Sequence, residues 1–219
     1  MPSPSIRTVL AAATLATAAL LSPAVSSAAT VDTTLQAAVP GLPGATEVRT
    51  GYDRTLFRHW VDADGDGCNA RNEVLIAEAT TRPSIGASCA LTGGRWSSYY
   101  DGATWTDPQD LDIDHLVPLA EAWDSGARTW TASERQSFAN DLGDPRSLVA
   151  VTDNVNQAKG DQDPATWEPP IAGVRCRYAA EWVAVKLRWR LTVDAAERSA
   201  LSSRASGCAS TRIVVQTAR

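Results

Sequence analysis

Four cysteines, Cys68, Cys89, Cys176 and Cys208, constrain this chain more than any other feature. No two of them form a C-x-x-C pair, so an even disulfide set is indicated rather than a zinc cluster. Four cysteines allow three pairings. Cys68–Cys89 with Cys176–Cys208 is favoured, because each bridge then closes a local loop, and each contributes about 2–4 kcal/mol. Disulfides require an oxidising compartment, and the N-terminus supplies a route to one. Arg7 precedes an apolar run over residues 9–21, and Ser26, Ser27, Ala28 and Ala29 offer the small residues of a cleavage site. The run is shorter than the roughly 20 residues a membrane span needs. Residues 1–29 therefore read as a cleaved signal peptide, and the mature protein is expected to be soluble, secreted and extracellular, without membrane contact.

The 219 residues suffice for one domain with a sizeable core. Eight tryptophans sit mostly beside apolar or small residues and read as core. The net charge is −5 at pH 7, and loss of Arg7 with the signal makes it more negative. That counts against nucleic acid as a partner, since phosphate binding usually shows as a basic surface. The acidity is uneven, however: over residues 175–190, Arg175, Arg177, Lys186, Arg188 and Arg190 stand against the single acid Glu181. This stretch is either a solvated helix face or a patch that tracks phosphates.

Residues 30–45, rich in Ala, Thr, Pro and Gly, read as a flexible leader. The spacing of Val48, Tyr52, Leu56 and Trp60 predicts a helix over 45–60. The apolar run 74–77 reads as a strand, 81–110 as loops and short strands, and 110–119 as a short strand ending in a turn near Pro118. A helix over 120–127 stops near Gly126, and Thr131 with Glu134 forms a capping box that predicts a helix through Leu142. Residues 148–152 read as a strand and 154–163 as a polar loop. Residues 177–191 form the clearest amphipathic helix, and Thr192 or Asp194 starts another that ends at Gly207. No repeat and no linker appear, so residues 46–219 are expected to form one α+β domain.

Only two histidines are present, His59 and His115, which narrows the choice of a general base near neutral pH. His59 lies between Arg58 and Trp60 and reads as structural. His115 follows Asp114 at the end of a predicted strand, where successive side chains point apart, so one can hold a metal while the other faces a substrate. A lone Asp-His pair arises easily by chance. A second polar segment, 151–161, adds an amide oxygen at Asn156 for a hard cation and an ammonium at Lys159 for a phosphate. Asn156 also suits a plain turn and Lys159 a solvated loop.

The runs Asp114-His115-Leu-Val-Pro-Leu119, Glu121-Ala-Trp-Asp-Ser-Gly-Ala127, Leu148-Val-Ala-Val151 and Asn156-Gln-Ala-Lys-Gly-Asp161 together resemble the HNH (His-Me finger) endonuclease family, most closely small secreted bacterial members. The similarity extends over roughly residues 50–208. It implies a ββα-metal core at about 107–167, with additional helices and disulfides around it. It further implies His115 as the base activating water and Asp114 and Asn156 as ligands of Mg²⁺ or Mn²⁺. Mg²⁺ keeps several waters and commonly uses one or two protein ligands, which suits so sparse a set. The chain departs from the family where an asparagine precedes a leucine: here Ser147 precedes Leu148, with Asn140 a possible substitute. Glu121 is either a supporting carboxylate or a surface acid.

Asp62, Asp64, Asp66, Gly67 and Glu73 match the calcium-loop pattern D-x-[DN]-x-[DN]-G-x5-E, against the alternative of an acidic turn stapled by Cys68. The function implied is a monomeric, divalent-metal-dependent endonuclease that binds and hydrolyses DNA or RNA. The rival readings are a secreted calcium-binding or adhesion module and a catalytically degenerate HNH fold. A Ser-His-Asp hydrolase lacks the Gly-x-Ser-x-Gly elbow.

Overall fold

The computed structural model describes Met1 and residues 28–219. The expected signal peptide therefore lies, apart from its ends, outside the described residues. Thr30–Thr34 forms β1, where three threonines and a valine favour extended backbone. It pairs antiparallel with the last strand of the chain, Arg212–Gln216. α1, Leu35–Ala38, follows directly, with the Thr34 hydroxyl accepting from the amide of Ala37. Leu35, Val39 and Leu42 are all buried, so the segment expected to be a flexible leader belongs to the main core. Its three apolar residues lie at one-face helical spacing, a signal hidden among Ala, Thr, Pro and Gly.

The helix expected over 45–60 does not form. A single 3₁₀ turn, Arg54–Leu56, capped by Asp53, is the helical structure there. Gly51, at φ 81°, interrupts the run, and Phe57 enters the core while Leu56 stays exposed. α2, Ala70–Glu78, replaces the strand expected at 74–77, and the Asn69 side chain caps it by accepting from the amide of Asn72. An apolar run of four residues cannot by itself separate strand from helix. Two small antiparallel pairs follow, β2 (Ser84–Ile85) with β3 (Leu91–Thr92) and β4 (Trp96–Ser97) with β5 (Thr104–Trp105).

The later elements track the sequence more closely. They are β6 (Leu111–His115), α3 (Leu119–Asp124), α4 (Ala132–Ala139), β7 (Leu148–Thr152), α5 (Asp153–Lys159), α6 (Arg175–Trp189), α7 (Ala195–Gly207) and β8 (Arg212–Gln216). The capping box of Thr131 and Glu134 is present, although α4 ends at Ala139 rather than at Leu142. Asp194 caps α7 by accepting from the amide of Glu197. α5 is the exception: the polar run 154–163 reads as a loop, yet Asp153–Lys159 winds into a helix straight out of β7. Both favoured disulfides form, Cys68–Cys89 and Cys176–Cys208. The result is one α+β domain in which no described helix is long and apolar enough to cross a membrane.

β6 and β7 pair antiparallel, with Asp114 opposite Val149 and His115 opposite Leu148. Side chains alternate across this ribbon. Leu111, Ile113, Leu148 and Ala150 join Val74, Leu75 and Trp96 in a small core, while Val149 and Val151 join the main core around α6. The free edge of β7 is met by Glu78, whose Oε2 accepts from the amide of Ala150 at 2.9 Å. Burial pushes Glu78 up to about 7. The folded state then binds this proton more tightly than the unfolded chain, so its contribution to stability falls as pH rises from about 4.5 through about 7. Glu78→Gln should shrink the difference in urea midpoint between pH 5 and pH 8. An unchanged difference would remove Glu78 as the source.

Candidate active site

Alternation along β6 separates the two residues of the Asp-His pair. Asp112 and Asp114 point to one face of the ribbon, and His115 to the other with Leu111 and Ile113. Both Asp114 and His115 are nonetheless almost fully buried, and both line a cleft of about 180 Å³ that also takes in Arg54, Asn156, Gln157 and Asp161. The strand–strand–helix order β6, β7, α5 brings Asn156 there, because α5 turns back over β6 immediately after β7.

His115 is fixed by a backbone group. Its Nε2 lies 2.9 Å from the carbonyl oxygen of Ala139. A carbonyl can only accept, so Nε2 carries the proton and Nδ1 is left with a free lone pair. Burial lowers His115 to about 3, against the opposing pull of the Ala139 carbonyl, and Arg54, His59 and Lys159 push it the same way as burial. The imidazole is therefore neutral at every physiological pH. Trp60 lies over it with ring centroids 5.3 Å apart, and His59 approaches edge-on at 6.2 Å. Trp60 holds a left-handed φ of 57°, a conformation that costs a non-glycine residue about 1 kcal/mol or more. Asn140 keeps this wall in place: its amide donates to the carbonyls of Arg58 and Gln136, and its Oδ1 accepts from the amide of Val61.

Asp114 accepts from Lys159 Nζ at 2.8 Å through Oδ1 and from the Tyr100 hydroxyl at 2.5 Å through Oδ2. Burial still leaves its carboxyl above the usual range, against the pull of Lys159. Each oxygen keeps a second lone pair. Asn156 donates from Nδ2 to Asp112 Oδ2 at 3.2 Å. A carboxylate cannot donate, so this contact orients the amide and frees its Oδ1. The donor set is thus all oxygen, with one carboxylate and one amide, and it suits a hard divalent cation such as Mg²⁺ or Mn²⁺.

Several expectations are corrected here. Lys159 is fully buried and spends its ammonium on Asp114 and the carbonyl of His115, so it presents no charge to a phosphate. Ser147 does not touch His115; its hydroxyl donates to Asp141 Oδ2. Glu121 is no surface acid. It is buried and paired with Lys186 at 2.6 Å. The basic stretch on α6 is largely consumed within the fold. Lys186 bridges Glu121 and Glu197, Arg188 pairs with Asp141, Arg177 with Glu181 and Arg175 with Glu168. Arg190 stays exposed at the end of α6 in the left-handed conformation. In the calcium-like loop, carboxylate oxygens of Asp62, Asp64 and Asp66 come within 4.8 Å of one another, whereas Glu73 groups with Asp66 and Cys68.

Four participants escaped sequence reasoning: Tyr100, Asp112, Arg54 and the Ala139 carbonyl. Asp112 had a signal, since it lies two residues before Asp114 on the same strand face. Arg54 is exposed, lines the cleft, and has no carboxylate at ion-pair distance among the described residues.

β6, β7 and α5 thus bring a histidine, a carboxylate and an amide oxygen to one cleft, and comparison with known proteins places the chain in a nuclease-related family. The family model of the C-terminal domain of GmrSD restriction endonucleases matches residues 71–204. The chain belongs to this nuclease-related family. A relative from Arthroderma benhamiae, named an uncharacterized secreted protein, is 53% identical over 158 residues, covering 72% of this chain and 76% of that protein. No solved structure matches.

Proposed function

We propose that the protein is a secreted endonuclease of the HNH type that hydrolyses phosphodiester bonds of DNA, and of RNA where it reaches the cleft, with a divalent cation held by Asp114 and Asn156. The observation that carries this reading is the fixed tautomer of His115. With Nε2–H donated to Ala139, Nδ1 is the atom that takes a proton from water as it attacks phosphorus. When bound, Mg²⁺ or Mn²⁺ offsets charge developing on the phosphate and leaving oxygens. Tyr100 and Lys159 hold Asp114, Asp112 orients Asn156, and Trp60 and Asn140 wall the base from bulk water. Secretion is supported by the N-terminal apolar run, the two disulfides and the name of the Arthroderma relative.

The test is plasmid DNA incubated with the purified mature chain in Mg²⁺, Mn²⁺, Ca²⁺ or EDTA. Cleavage that requires a divalent ion is the expected result, and none in any ion from disulfide-intact protein overturns the reading.

With Lys159 buried, Arg54 is the cleft's available cation, and it takes the role of phosphate contact. Arg54→Ala should raise KM about tenfold and make the salt dependence of KM shallower by about one phosphate contact. An unaltered salt slope would assign that contact elsewhere. Calcium in the loop of Asp62, Asp64, Asp66 and Glu73 is a separate proposal, supported by the three converging aspartates and the helix that follows them; retention of all bound Ca²⁺ by Asp64→Asn would refute it.

A further inference from the structure

Six carboxylates converge where residues 43–50 lie against α3 and the approach to α7, a placement fixed by the Gly44–Val193 bridge and the Arg49–Asp124 ion pair. Oxygens of Glu47, Glu121 and Asp124 lie within 4.8 Å of one another, and so do oxygens of Glu47, Asp163, Asp194 and Glu197. Among the described residues, two cations pair with this set: Lys186 with Glu121 and Glu197, and Arg49 with Asp124.

An acidic cluster alone is weak evidence, because such groups are common on protein surfaces. Here one member is buried and incomplete. Asp124 is 5% exposed. Its Oδ2 accepts from Arg49 Nε at 2.7 Å, while its Oδ1 is buried without any hydrogen-bond partner. Buried acceptors nearly always find a donor, and one left alone calls for an explanation. Glu121 directs Oε1 alone to Lys186 and Ser125, which leaves its Oε2 free of protein donors. Partly exposed Glu47 closes the group from the solvent side.

We propose that Glu47, Glu121 and Asp124 bind a divalent cation, with Asp163, Asp194 and Glu197 supplying the surrounding negative charge. A donor set made only of carboxylate oxygens selects a hard ion. Glu121 and Asp124 lie three residues apart on α3 and Glu47 comes from the distant 43–50 segment, an open set that suits Ca²⁺, with its six to eight flexible oxygen contacts, better than the strict octahedron of Mg²⁺. A bound ion ties the segment leading to Arg54 onto α3, the helix that begins just beyond His115, and so braces one wall of the cleft from behind.

Equilibrium dialysis of the mature chain against Ca²⁺ tests this, beside Glu47→Gln and Asp124→Asn. The cleft and the Asp62–Asp66 loop are unchanged in all three, so the difference isolates this site. Extracellular calcium sites have Kd of about 10⁻⁴–10⁻³ M. Near-UV circular dichroism verifies that each variant is folded. The expected result is one fewer bound Ca²⁺ in either variant, with a smaller Ca²⁺-induced rise in Tm. Equal stoichiometry and an equal rise in all three proteins, or no Ca²⁺ bound by the parent chain up to about 10 mM, roughly ten times the weak end of that range, overturns it.

Discussion

His115→Ala should lower the rate of plasmid cleavage in Mg²⁺ by about 10²–10⁴-fold, the usual worth of a positioned general base. The loss should fall on kcat, because His115 is buried beneath Trp60 and contributes little surface for binding substrate. Burial keeps the ring neutral with Nδ1 unprotonated, so the parent enzyme should show no loss of activity from imidazolium formation on acidification to about pH 6, where an ordinary histidine becomes charged. The substitution removes a buried ring, and near-UV circular dichroism with the Cys68–Cys89 and Cys176–Cys208 bridges intact verifies that the wall of Trp60 and Asn140 survives. Residual cleavage within about tenfold of the parent, below the usual range for this role, would place the base elsewhere and sink the HNH reading of the cleft.

Lys186→Ala should destabilise the domain by about 3–5 kcal/mol at neutral pH, measured by urea denaturation. The ammonium is fully buried and donates to Glu121, Ser125, Glu197 and the carbonyl of Thr192, all at 3.0 Å or less. Removing it leaves two buried carboxylates without their cation, at the junction of α3, α6 and α7. Burial lowers the pKa of Lys186, but Glu121 and Glu197 outweigh it and hold the ammonium charged above its usual range. Adding Glu121→Gln and Glu197→Gln to the same chain should recover part of the loss, since the uncompensated charges go with the cation. A phosphate-tracking role for Lys186 predicts the opposite pattern: ordinary stability and weaker nucleic-acid binding. A stability loss below about 1 kcal/mol, typical of an exposed pair, would favour that alternative.

Both variants concern residues that the sequence singled out, and they fared differently for a physical reason. Asp114, His115 and Asn156 were legible because strand alternation, a short turn and the motif around them constrain local geometry. Those constraints survived into one cleft. For Lys159 and Lys186 the sequence leaves open a charge offered to phosphate or one simply solvated, since sequence shows a charge but not its partner. Lys159 lies four residues from Val155 on α5, and its partners are 45 and 44 positions away, at Asp114 and the carbonyl of His115. Ser147 raised doubt about how the imidazole is oriented. The structure gives that contact to a backbone carbonyl at Ala139, a group every residue possesses and no motif can mark.

Local chemistry of the sequence alone determined the capping box at Thr131 and Glu134, strand-forming runs within 110–119 and 148–152, and the amphipathic face of α6, and it favoured, among three possible pairings, the two disulfides that form. Each depends on neighbours within a few residues or on loop closure. Tertiary structure decided the rest. It drew residues 30–45 into the core through Leu35, Val39 and Leu42. It turned the polar run 153–159 into a helix by docking it on β6. It also sent Lys186 and Arg188 of the basic stretch inward to meet Glu121, Glu197 and Asp141. A charge or a short apolar run has no fixed environment until distant segments pack against it, and burial then determines whether it binds a ligand or holds the fold.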